Sequence, residues 1–165
     1  MKKLCCIILV LLTLVGCSAP KPILVNNADY NAIINIVYKE KSYQYSIHKT
    51  CNETIFKSCG KTLPIDFIVT KNNVSATYNN NTEDYSDSLD NSVVSIINNV
   101  LLKSEDKEVY ADYNDNYILH DIISAGEFAL KLDKNGFPVE ISIVSKDLLI
   151  KFSDVKEVSK DSEKQ

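Results

Sequence analysis

The chain has no arginine and no tryptophan, and its cationic residues form no patch. Its 18 basic residues, all lysine, stand against 22 acidic ones, for a net charge of −4. A surface without a basic stripe has little to offer a phosphate backbone, which argues against nucleic acid as a partner. An anionic bilayer would repel it too, so charge alone does not hold it to a membrane. The usual signatures of chemistry are also missing. No Gly-x-Ser-x-Gly elbow sets a serine beside His48 or His120. There is no phosphate loop and no dinucleotide fingerprint. His48, Cys51 and Cys59 are spaced like no zinc module. Asp112, Asn114 and Asn116 begin as a calcium loop begins, but Tyr117 stands where the glycine is needed and Ile123 where the closing glutamate belongs. These absences point away from catalysis, cofactors and bound metal. An acid–base cluster, if one existed, would be Asp112, Asp115, His120 and Asp121.

One long apolar run is present, over residues 4–15, preceded by Lys2 and Lys3. It is short of the roughly 20 residues a membrane span needs and suits a secretion signal. It ends in Leu14-Val15-Gly16-Cys17, which resembles the lipobox of bacterial lipoproteins. The resemblance implies cleavage of residues 1–16 and attachment of acyl chains, palmitate among them, to Cys17. Each buried methylene holds by about 0.8 kcal/mol, so two or three chains give a stable anchor. Residues 17–27, with Pro20 and Pro22, read as a lipidated tether. Abundant Asn and Ile and the exclusive use of lysine suggest an AT-rich coding bias, as in low-GC Gram-positive bacteria. The expected address is then the outer face of the cytoplasmic membrane.

About 150 residues remain after cleavage, the size of one domain. We expect it over 28–155, followed by a charged, frayed tail over 156–165. Cys51 and Cys59 are the thiols left outside the signal and the anchor, and an extracytoplasmic setting makes them a candidate disulfide.

Most of the mature chain alternates apolar and polar residues with period two, the mark of half-buried strands. Ala32, Ile34, Ile36 and Tyr38 share a face; so do Tyr43, Tyr45 and Ile47; then Ile65, Phe67 and Val69; then Val74, Ala76 and Tyr78. Residues 79–85 read as a polar loop. The period then changes: Leu89, Val93, Ile96, Ile97 and Val100 form one helical stripe over 88–103, with Asp87 or Ser88 as its cap and Ser95 and Asn98 mostly off it. Weaker strands follow over 108–113 and 117–123. Phe128, Leu130 and Leu132, an Asn135-Gly136 turn, then Val139, Ile141 and Ile143 form a hairpin, and Leu148, Ile150 and Phe152 extend it. The expected class is α+β: a curled antiparallel sheet of about seven to nine strands, a half-barrel or open barrel, wrapped on one central amphipathic helix.

The order of these elements, and above all the 127–143 hairpin followed by Phe152-Ser153-Asp154, resembles the LolA/LolB-type half-barrel lipoproteins and, more distantly, clostridial germination lipoproteins. The resemblance implies a concave apolar surface that holds an acyl chain or docks a partner. Its face would comprise Tyr43, Tyr45, Phe67, Val93, Ile96, Ile97, Val100, Phe128, Leu130 and Ile141. Ordinary core packing is the competing reading, for the Tyr43/Tyr45 pair in particular. The expected function is a membrane-anchored binder of lipid or acyl chain; the alternative is a non-catalytic scaffold that stabilises an envelope protein.

Overall fold

The computed structural model describes residues 21–60, 64–85, 91–112, 114 and 116–158. Cys17, the signal segment and the cap candidates Asp87 and Ser88 lie outside these residues, as do Leu89 and Asp115.

Period-two patterning becomes one antiparallel sheet. The first meander is β2 (Tyr30–Tyr38), β3 (Lys41–Lys49), β4 (Glu53–Ser58), β5 (Asp66–Thr70), β6 (Val74–Tyr78) and β7 (Asn81–Asp84). The second is β9 (Tyr117–Ile123), β10 (Gly126–Leu132), β11 (Pro138–Ile143) and β12 (Leu148–Glu157). They join centrally where β12 pairs with β2, giving the ten-stranded order β7-β6-β5-β4-β3-β2-β12-β11-β10-β9. Helix α1 (Val93–Ser104) carries the chain from the β7 edge to the β9 edge. A separate two-stranded ribbon pairs β1 (Ile23–Leu24) with β8 (Glu108–Val109).

The sheet is curled, and the helix shows why. α1 packs against β4 and β5 near one edge and against β9 at the other. In a flat sheet β5 and β9 would lie seven strand spacings apart, roughly 34 Å. A helix of 12 residues is only about 18 Å long and about 10 Å thick. Both edges reach it only because the strands bend round it. The inner face is dry: Ile34, Phe56, Ile97, Val100, Leu130, Ile141, Ile143 and Ile150 are fully buried. The expected α+β architecture is therefore the one found.

Several local expectations are corrected. The polar loop over 79–85 contains β7, joined to β6 by Asn79-Asn80, both at positive φ. All four β7 residues are exposed, so no apolar face announced the strand. The helix starts at Val93 with Ser92 as its cap, Ser92 Oγ accepting from the Ser95 amide. Val139 does not share the inner face of Ile141 and Ile143. Leu132 pairs with Pro138 and Lys131 with Glu140, leaving Val139 as the extra residue of a bulge that turns it outward. The tail begins later than expected, since Lys156 and Glu157 still pair with Asn31 and Tyr30 after a second bulge at Asp154. The tether ends earlier: Val25 is buried, its amide donating to the Lys107 carbonyl, and the Asn26 amide donates to the Gly136 carbonyl.

The candidate disulfide is also corrected. Cys51 and Cys59 are exposed free thiols at opposite ends of β4. The six residues of that strand extend for about 20 Å, whereas a disulfide needs α-carbons within about 7 Å.

Candidate functional site

The inward residues of β2 and β3 meet in cross-strand pairs, Ile36 with Tyr43 and Ile34 with Tyr45. Tyr45 turns its ring against Phe56 and Phe67, 6.2 Å away in each case. The first turn of α1 lies across this aromatic group without filling the space above it. What remains is a partly open apolar cavity of about 220 Å³, lined by Ile36, Tyr38, Tyr43, Tyr45, Phe67, Ser92, Val93 and Val94. Burial raises the Tyr45 phenol above its ordinary pKa, with Tyr43 and Asp66 adding to the shift, so its hydroxyl stays neutral. A neutral phenol among aromatic rings suits an uncharged, apolar guest.

Of the ten residues expected on the ligand face, four line this cavity: Tyr43, Tyr45, Phe67 and Val93. The others, Ile96, Ile97, Val100, Phe128, Leu130 and Ile141, are sealed inside the core. Ile36, Tyr38, Ser92 and Val94 belong to the cavity and escaped sequence reasoning. Period two placed Ile36 and Tyr38 on the right face, but it could not say where along that face the helix stops covering it.

A larger groove of about 670 Å³ lies at the other end of α1, lined in part by Lys71, Asn99, Lys103, Glu105 and Ser124. It is wide open and mixes polar with apolar lining, Leu102, Ile122 and Ile123 included, and Lys103 is engaged there with Asp121. The described acid–base candidates, Asp112, His120 and Asp121, do not assemble. His120 and Asp121 are successive strand residues, so their side chains leave opposite faces. Asp121 is taken up by Lys107 and Lys103 and by the Ile122 amide at 2.7 Å. Lys103 Nζ donates to the Ile122 carbonyl, so both outward backbone groups of Ile122 are capped and the β9 edge is blunted there. The Asp112 carboxylate accepts from the Asn114 and Asn116 amides and closes its own loop. His48 Nδ1 meets Asn31 Oδ1 at 2.8 Å on the outer face. Among the described residues no group of three or more metal-ligating side chains gathers.

Asp121 carries a pH signature. The hydrogen bond from Lys107, then that from the Ile122 amide, hold its carboxyl at about 2. A depressed carboxyl stabilises the fold above the unfolded value of about 3.9, and the benefit is lost as pH falls toward 2. The difference in urea midpoint between the wild type and Asp121→Asn should be flat from pH 7 to about 4 and close between about 4 and 2. A difference that persists unchanged at pH 2 would refute the assignment.

No protein-family model and no curated protein matches the chain. A crystal structure of a LolA superfamily protein from Nitrosomonas europaea is similar to it, with a TM-score of 0.44 and 10% sequence identity, covering 83% of this chain and 89% of that one.

Proposed function

We propose that the protein is a non-catalytic binder held by Cys17 at the outer face of the cytoplasmic membrane, which takes one apolar group into the cavity at the start of α1. The observation that carries the reading is the space left unfilled, among the described residues, over Tyr43, Tyr45 and Phe67. At about 220 Å³ it falls below the roughly 300–1,000 Å³ of sites that enclose drug-sized ligands. The end of a single acyl chain fits that scale; a whole phospholipid does not. About seven or eight buried methylenes at about 0.8 kcal/mol each give weak, exchangeable binding, with a Kd on the order of 10–100 μM. The sealed state of the other six expected face residues supports the second reading, in which the guest is an apolar side chain of a partner protein.

A fluorescent fatty acid titrated into the mature protein tests the proposal. Wild type should bind with saturation, and Val93→Phe, which fills the cavity from the helix side, should weaken uptake about tenfold while leaving the circular dichroism unchanged. No saturable uptake by wild type, or equal uptake by the variant, would rule out the acyl-chain guest.

A further inference from the structure

We infer that the β1–β8 ribbon is the face that lies on the phospholipid bilayer, so that the apolar cavity lies at the opposite end of the molecule. The inference rests on Cys17 acylation as proposed above and adds an orientation to it. Ile23 pairs with Val109 and Leu24 with Glu108. The inner side of the ribbon buries Val25 and Val109. The outer side leaves Leu24 57% and Tyr110 59% exposed, which is costly in water and suited to a lipid interface.

Chain length supplies the occupant. Residue 21 is four positions from Cys17. Fully extended, that segment reaches only about 14 Å. Acyl chains in the bilayer therefore hold the start of the ribbon near the headgroups. Lys21 and Lys134 are exposed beside the ribbon, but so are Asp106 and Glu108. The patch is balanced in charge, and its contact with lipid comes from Leu24 and Tyr110 rather than from attraction to anionic headgroups.

The strands then fix the direction of the cavity. Tyr30, at the start of β2, packs edge-on against Phe137 in the hairpin tip that holds the ribbon. Tyr38, at the end of β2, lines the cavity. Eight residue steps of strand separate them, about 26 Å. The cavity therefore lies at the end of the molecule away from the leaflet in which the protein is anchored.

Because the chain has no tryptophan, a single introduced one reports without background. Full-length acylated protein carrying Tyr110→Trp, and a second version carrying Val144→Trp, would be reconstituted into vesicles of phosphatidylcholine and phosphatidylglycerol with brominated acyl chains. Val144 is 91% exposed and follows the end of β11 that lies away from the Asn135-Gly136 turn holding the ribbon. The Tyr110→Trp reporter should shift to the blue and lose about half its emission or more to bromine, equally in low and high salt; the Val144→Trp reporter should be unquenched. Leu24→Trp serves as the second reporter should Tyr110→Trp fold poorly. Protein that carries acyl mass and floats with the vesicles, yet shows no quenching at position 110 or 24, overturns the orientation and leaves the anchoring intact. Mature protein whose intact mass lacks acyl chains overturns both. Quenching at position 144 reverses the orientation.

Discussion

Gly136→Ala should cost about 3 kcal/mol and loosen the N-terminal ribbon from the body of the fold. Gly136 sits at φ +82° in the β10–β11 turn, a conformation that costs an alanine about 1–2 kcal/mol. Strain is only part of the effect. A methyl group there would drive into the backbone carbonyl oxygen of Leu24 and stand 3.0 Å from the Asn26 amide nitrogen. Neither atom belongs to a flexible side chain, so the β1 backbone itself must move. That movement breaks the Asn26 amide to Gly136 carbonyl bond, worth about 1 kcal/mol, and disturbs the buried Val25 behind it. The thermal midpoint should fall by about 6–12 °C. The Val25 and Asn26 amides should exchange with deuterium much faster than amides of β2. Lys134→Ala, in the same turn but exposed, should change stability by less than about 0.5 kcal/mol. A Gly136→Ala protein as stable as that control would mean that the close approach of the turn to β1 is not a feature of the native state.

How far such features can be seen in a sequence depends on whether they leave a periodic trace. Tyr45 and Ile47 alternate with Gln44, Ser46 and His48, and their burial follows from strand geometry alone. The curling follows as well, because one helix cannot cover so many strands laid flat. β7 left no trace because both its faces are wet. Val139 misled because a bulge breaks the period without changing composition. Asn98 misled in the opposite sense. It reads as a polar residue beside the helical stripe, yet it is fully buried, its Nδ2 donating to the Thr70 carbonyl at 3.3 Å and its Oδ1 accepting from Thr54 Oγ1 at 2.8 Å. Such a residue pins α1 to β4 and β5, and only the partners reveal it. The site shows the same divide. Patterning says which side chains turn inward; whether the inside is filled depends on where Ser92 starts the helix, and this in turn leaves Tyr43 and Phe67 uncovered.

Polar groups that the core has taken in should also show the second large effect, and an asymmetric one. Glu105→Leu should cost about 3–5 kcal/mol, while Lys49→Met should cost only about 1–2. The two form an ion pair at 2.8 Å between the end of β3 and the end of α1. Their surroundings differ. The Lys49 side chain is 4% exposed, and that of Glu105 is 25% exposed. Deleting the carboxylate strands an ammonium in the dry interior, with the Thr50 carbonyl as its remaining acceptor among the described residues. Deleting the lysine leaves a carboxylate that water still reaches. The double variant Lys49→Met/Glu105→Leu strands neither charge and should lie close to wild type, giving a coupling of about 4 kcal/mol or more in a double-mutant cycle. Tyr30 is the internal check. Its hydroxyl is buried without a partner among the described residues, and burial first, then Glu105, pushes its pKa far upward, so it is an uncharged and unsatisfied group beside the pair. Tyr30→Phe removes that unmet donor and should be neutral or slightly stabilising. Urea midpoints for the five proteins decide the matter. Equal losses from Glu105→Leu and Lys49→Met would mean that both charges see the same solvent, and the buried lysine would then have no part in clamping the helix to the sheet.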